Sequence, residues 1–445
     1  MFKSLIPTFS FAMINSYSVY PAVEETGPFI KRYVNILMLF FPLTAFLLIP
    51  VIPGTTIITV MAALMFFLIP LSTFKEEKGM FMLELGYFFA VILILSFCSQ
   101  FINLVSHLKL PSSIILINRN DFTKTFYRTS HLTQSLALIV GFIIYTYVKY
   151  FSTERIITYI YWGIRLLCFY GLYEFVFYLL TGQSGDFMVN RTFGDGEKSA
   201  SLFQTVNLGG LSLLRFKGYT GEPSMFVFTV FPFWVLTFAL KRTFDTCLIL
   251  GCLLLSFSTT AYMCIIMFSC FWFIYKRQFQ IFYYICIFIV FICFILQLDR
   301  FQHLLDSVYN FVFAGKMSGN TVSARDRSNG FVNHVSYWAS LNGLSQAFGI
   351  GFGYVRSTDF FSTIIVNNGI IGFLVFTWFA LKNLWLKISV PLLSVCYKLG
   401  LALVYFIMMA SVPEFAYPSL WIYIALGFVV QRISEKKDAL ELLNS

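Results

Sequence analysis

Charged residues are scarce in this chain, and that scarcity decides its class. Asp, Glu, Lys and Arg make up 12% of the 445 residues while 58% are hydrophobic, roughly half the charged share of a soluble protein. A water-soluble globular fold is therefore excluded. Familiar ligand spacings are missing as well: there is no CxxC, no HExxH, no Asp-x-Asp pair, no GxGxxG and no phosphate-binding loop. "GDGE" at 194–197 reads as a turn rather than a metal site. These absences point to metal-free chemistry that uses no cofactor and no nucleotide. All nine cysteines (98, 168, 247, 252, 264, 270, 286, 293 and 396) lie in or beside apolar runs, so no disulfide framework holds the intervening loops. The first thirty residues lack the apolar core of a signal peptide, which leaves targeting to the first span.

Apolar runs are what the chain has instead, at a mean hydropathy of +0.78. Many reach the ~20 residues needed to cross a bilayer. The pattern predicts one integral membrane domain over 1–445, all-α and polytopic. Twelve spans are expected, at 33–51, 54–73, 80–102, 132–149, 156–181, 223–240, 244–257, 260–275, 279–298, 363–381, 397–412 and 418–431. Basic clusters punctuate them: Lys31/Arg32, Lys75/Lys78, Lys149/Arg155, Lys241/Arg242, Lys276/Arg277, Lys382/Lys387 and Arg432/Lys436/Lys437. Lys and Arg collect on the cytoplasmic side, and placing all of these clusters there makes each intervening stretch cross an even number of times. Lys241 to Lys276 then holds two short helices turning at "SFSTTAY", and both termini are cytoplasmic. The same rule accounts for the net charge of +10 without nucleic acid as a partner.

Three segments then fall outside: 103–131, 182–222 and 299–362, the last a large loop between spans 9 and 10. They carry Lys109, Arg119, Lys124 and Arg128; Arg191, Lys198, Arg215 and Lys217; and Arg300, Lys316, Arg325, Arg327 and Arg356. His107, His131, His303 and His334 lie in the first and third. A solvated loop face accounts for single residues among these. Their recurrence in all three segments predicts a vestibule for an anion, on the side where cations are unexpected. Inside the spans stand Glu84, Arg165 and Glu174, and intramembrane charges usually pair or line a cavity. Arg165 and Glu174 are nine residues apart, about 180° around one helix, so the expected brace is Arg165 with Glu84. A substrate or proton path is the alternative.

Two stretches carry candidate chemistry. In "RFKGYTGEPSMF", Gly218 and Gly221 permit a tight turn, and Pro223 suits the first helical position. Glu222 at that helix start is either a capping carboxylate paired with Arg215 or Lys217, or a general base beside a phosphate-binding cation. In the large loop, "RDR" places Arg325 and Arg327 around Asp326, and Phe331, Val335, Trp338, Leu341 and Leu344 are spaced as the stripe of an amphipathic surface helix. "GIGFG" at 349–353 is a turn that brings backbone close to a neighbour.

The order of these features resembles the bacterial O-antigen polymerase family (Wzy-type), which is related to O-antigen ligases. "RFKGYTGEPS" enters a span, "LLLSFSTTAY" follows in the next apolar pair, a long loop holds "RDR" and "FGIGFG", and "NNGIIGFLVF" opens the span after it. The likeness covers roughly residues 210–375. It implies a GT-C-like transferase of lipid-linked sugars in the bacterial plasma (inner) membrane. Such enzymes move a growing glycan from undecaprenyl pyrophosphate to another lipid-linked repeat unit on the outer face, with a chain-length regulator left open as protein partner. Carried over by position, Arg215, Arg325 and Arg327 would hold the pyrophosphate, with Lys217 and Arg356 as further substrate contacts. Glu222 would be the base, and His334 and Asp326 its reserves. The ligase branch has a His near the start of the span after the large loop. "TDFFSTIIVNNGIIG" has none, which favours polymerase. A ligase-like transferase and a lipid-linked oligosaccharide flippase are the competing readings.

Overall fold

The computed structural model describes residues 28–50, 54–69, 75–117, 124–190, 204–208, 211–277 and 322–443. The expected ninth span at 279–298, the "GDGE" turn and the first part of the large loop lie outside them. Among the described residues the chain is mostly helical, and seven helices are long and apolar enough to cross a membrane. These are α3 (Lys75–Ser106), α4 (Thr129–Phe151), α5 (Ile156–Thr181), α6 (Pro223–Leu240), α8 (Thr259–Lys276), α11 (Phe360–Leu381) and α12 (Pro391–Ser411). The other helices are α1 (Pro28–Leu37), α2 (Ile57–Leu68), α7 (Thr243–Leu255), the polar α9 (Val322–Ser340) and α10 (Gly343–Phe348); α13 (Pro418–Leu443) ends the described chain. The all-α reading has one small exception. Strands β1 (Thr205–Leu208) and β2 (Leu211–Leu214) form an antiparallel hairpin pairing Thr205 with Leu214.

The expectation of twelve full spans is not met at the start of the chain. Helices α1 and α2 have 10 and 12 residues, about 15 and 18 Å of rise against a hydrocarbon core of about 30 Å. The prolines at 42, 50 and 53 explain this, since each removes a helical donor and crowds the preceding turn. The stretch from Lys241 to Lys276 is, as expected, two helices, α7 and α8, turning at Ser256–Ser258.

Helix α6 is apolar on every side, and such a helix is stable only when surrounded. It is accordingly 83% buried and packs against α12, α7, α8 and α13. Helices α3 and α8 bury only 17% of their apolar windows and face the surroundings. At the α12–α13 contact, Tyr397 and Tyr423 stack 5.4 Å apart. Each hydroxyl sits over a glycine of the other helix, Gly427 and Gly400, where any side chain would collide.

The basic punctuation gathers at one end of the bundle. Lys149 pairs with Glu84, Arg432 donates to the Lys149 carbonyl at 2.9 Å, and Lys436 meets Glu154 at 2.7 Å. Arg242 reaches Asp245 and Thr158. The expected Arg165–Glu84 brace is corrected here. Arg165 instead makes a forked pair with Asp245, at 2.6 and 3.1 Å. Asp245 stands in the first turn of α7, where the helix dipole favours an anion, and the long guanidinium stem reaches it from the neighbouring helix.

At the opposite end α11 is broken. Gly369 has φ 63° and ψ −167°, so the carbonyls of Val366 and Asn367 lack their helical donors. The loop "GIGFG" supplies them: Ile350 N donates to Val366 O at 3.0 Å and Gly351 N to Asn367 O at 2.7 Å. Asn103 and Gln100 of α3 in turn donate to the Ile350 carbonyl, at 2.5 and 3.3 Å. This is the close approach that the glycines predicted. A Cβ on Gly349 would lie 2.4 Å from the Asn367 backbone, and its φ of 72° is itself unfavourable for other residues. Gly349→Ala is therefore expected to cost at least about 1–3 kcal/mol, seen as a lowered thermal midpoint in detergent; an unchanged midpoint would show that the loop is not clamped on α11.

Candidate functional site

The motif from Arg215 to Pro223 sits at the end of the bundle opposite the basic clusters. Strand β2 delivers it, and Phe216 anchors it: its ring lies where a Cβ on Gly171 of α5 would be, 2.3 Å away, and 4.8 Å from the Phe226 ring. Gly218 at φ 54° and Gly221 at φ 86° then turn the chain through a 3₁₀ segment into α6, with Pro223 at the first helical position. Glu222 occupies the capping position in extended geometry, yet its carboxylate makes no capping bond to the helix backbone. It accepts instead from the Ser224 hydroxyl at 3.3 Å and is only partly buried.

Arg215 is half-buried beside it. Its guanidinium donates to Gln204 Oε1 at 2.5 Å and to the carbonyls of Phe257 and Ser256 at 3.2 and 3.4 Å. The side chain thus ties the hairpin to the α7–α8 turn. Burial first, and the charge of Arg327 second, hold its pKa down to about 10, with Glu222 opposing both. Arginine stays protonated at any physiological pH all the same. Burial is the largest cause of the shift, and the contribution of Arg327 shows that its charge reaches Arg215 from α9. That neighbour, Arg327 on α9, has no acid or carbonyl on its guanidinium among the described residues. The sequence-predicted Arg215, Glu222 and Arg327 therefore come together from two distant segments.

Arg356 lies on the same face. Its guanidinium pairs with Glu414 in the α12–α13 turn, and Thr358 nearby donates to the Arg327 carbonyl at 3.5 Å. The Tyr417 hydroxyl in that turn donates to the Thr220 carbonyl at 3.2 Å, joining Arg356's surroundings to the Glu222 motif. Arg325 and Asp326 are placed on the first turns of α9 by the backbone, and their side chains fall outside the described residues.

Two expected site residues turn inward. Lys217 is 2% exposed, with Nζ 2.7 Å from Asp186 and 3.9 Å from Glu174. It sits in a buried ion cluster and offers no surface to a substrate, because an ammonium sharing two buried carboxylates is already satisfied. His334 is fully buried: its Nδ1 donates to Gly330 O at 2.6 Å and its Nε2 accepts from Ile115 N at 3.2 Å. Burial pushes its pKa down, so it is a neutral ring fastening α9 to the 113–117 loop, with no nitrogen left for a hydroxyl proton. The stripe on α9 is shifted accordingly. Gly330, His334 and Tyr337 face the protein and the expected Trp338 and Leu341 pack partly buried beside them, whereas Phe331 on α9 and Leu344 on α10 are 42% and 64% exposed.

Sequence reasoning did not find Gln204, Asp186 or Glu414 as partners of these cations. Glu414 carries a legible signal, an acid in the short "VPEFAYP" turn between two apolar helices. Replacing Lys217 by Ala would leave Glu174 and Asp186 buried without a cation, an expected loss of about 3–5 kcal/mol; a native-like unfolding midpoint in Lys217→Ala would refute the buried cluster. No family model matches the chain, and it has no significant match among curated proteins or solved structures.

Proposed function

We propose that this protein is a metal-independent polysaccharide polymerase of the O-antigen type. On this reading it lies in the bacterial plasma membrane with both termini cytoplasmic, and transfers a growing glycan from undecaprenyl pyrophosphate to another lipid-linked repeat unit. The observation that carries it is that Arg215, from the hairpin, lies within electrostatic reach of both Arg327 on α9 and Glu222, on the face opposite the basic clusters. Like charges repel, and holding them together is favourable when a dianion takes the space between. A chain-length regulator is a compatible partner on the same face.

The chemistry follows from those groups. The acceptor hydroxyl attacks the anomeric carbon of the donor sugar, and its oxygen forms the new glycosidic bond. The bond from that carbon to the pyrophosphate oxygen breaks, and the electron pair leaves with the undecaprenyl pyrophosphate. Glu222 takes the hydroxyl proton, for which its partly exposed, non-capping carboxylate is suited. Arg215 and Arg327 stabilise the charge growing on the leaving group. Arg356 and Glu414 lie on the same face as contacts for sugar or phosphate.

Deleting the gene and separating surface glycans on a gel tests the reading. Core bearing one repeat unit is expected; bare core with polymerised carrier-linked glycan would indicate a ligase, and bare core without outer-face glycan a flippase. Arg327→Ala and Glu222→Gln are each expected to slow chain extension by about 10²–10³ in protein that still inserts, and a normal ladder from either removes that residue from the mechanism.

A further inference from the structure

A second site lies away from the Arg215 face. A cavity of about 270 Å³ runs between α3, α4 and α11. Its wall is apolar along Leu95, Phe142, Val375 and Phe376, and Glu84 and Lys382 stand at one end. From Glu84 to Ser96 on α3, and from Asn368 to Lys382 on α11, the wall extends about 18–21 Å. One leaflet of hydrocarbon is about 15 Å deep, so the cavity has the length of an acyl chain. Such a wall offers an oligosaccharide almost nothing to bond.

The charged end selects the head group. Glu84 is committed to Lys149, whose ammonium also lies 4.7 Å from the Tyr150 and Phe428 rings. Lys382 feels the charges of both, and among the described residues no acid pairs with it. Its ammonium is held over the Phe379 and Tyr145 rings, at 4.5 and 5.3 Å. Two ammoniums, Lys149 and Lys382, thus act on one carboxylate, and Arg432 donates to the nearby Lys149 carbonyl. The excess of positive charge assigns this end to the cytoplasmic side. An anion there would complete the balance, and hydrocarbon would fill the wall above it.

We infer that this groove is a binding site for an anionic phospholipid of the cytoplasmic leaflet, its phosphate on Lys382 and one acyl chain along α3 and α11. The inference is independent of the proposed polymerase activity. It places a structural or regulatory lipid at the end of the bundle opposite the Arg215 face. The isoprenoid chain of a lipid-linked substrate is the competing occupant. It would enter from the other end, past Phe352, Phe360 and Phe415, and would not need Lys382.

Trp421 provides the readout, because it lines the groove yet is only 1% exposed, beyond the reach of lipids around the protein. The full chain is reconstituted in vesicles containing brominated phosphatidylglycerol or brominated phosphatidylcholine, and the Trp421 signal is taken as the difference from Trp421→Phe. Brominated phosphatidylglycerol is expected to quench it with roughly fivefold higher affinity. Lys382→Gln should abolish that preference and Lys382→Arg retain it. Val375→Phe, which leaves the charges untouched, should weaken quenching by both lipids. Equal quenching by the two lipids, a preference that survives Lys382→Gln, or no Trp421 quenching at all would each overturn the site, the last leaving the groove to an isoprenoid.

Discussion

Where α11 breaks at Gly369, the carbonyls of the buried Val366 and Asn367 lose the donors that a continuous helix would give them, and a buried carbonyl needs a replacement. The backbone of Ile350 and Gly351 fills that need, and much of one end of the molecule depends on it. The Asn367 side chain closes on the next stretch of the loop, accepting from Val355 N and donating to Val355 O, both at 2.9 Å. Gln100 and Asn103 lock α3 to the same loop. Glycines at 349 and 353 let backbone approach backbone, and Gly351 leaves room for the Gln100 and His131 side chains, where any Cβ would intrude. The chain leaves this clamp at Arg356 and re-enters α11 through Asp359, whose carboxylate accepts from Ser362 N at 2.7 Å. The positions of Arg356, Thr358 and, through it, Arg327 all follow.

The two ends of the bundle treat their cations differently. At the basic end, carboxylates, aromatic rings and backbone carbonyls take up most of the charge, as with Arg165 on Asp245 and Lys149 on Glu84. At the other end, Lys217 is neutralised inside the protein and Arg356 at its edge, while Arg215 lies within electrostatic reach of Arg327 and Glu222. Electrostatic strain of that kind is costly to build, since burial and like charge act in the same direction. It sets the Arg215 face apart from the basic end of the bundle.

Part of this was visible in the residues alone. The basic pairs at Lys241/Arg242 and Lys276/Arg277 foretold a hairpin, because two like ends share one side of a membrane only if the chain turns between them. The glycines of "GIGFG" announced a close approach without saying to what. The buried stripe on α9 was misplaced because His334 and Tyr337 look polar in a hydropathy pattern. Their ring nitrogens and hydroxyl are in fact spent on backbone groups of the 109–115 loop and of α9 itself, which lets both side chains turn inward. Likewise the first two apolar runs read as spans, and prolines cut them short.

Composition by itself settled that the chain belongs in a membrane, since the transfer of apolar side chains out of water adds up residue by residue. Local rules also settled the turn and helix start around Gly221 and Pro223. How each cation is satisfied was decided only in three dimensions. Lys217 and Arg215 are two residues apart and chemically alike, yet one meets Asp186 and Glu174 while the other faces Arg327 from a segment more than a hundred residues away. Charge acts through distance in space and through burial, and neither is written in the spacing of a sequence.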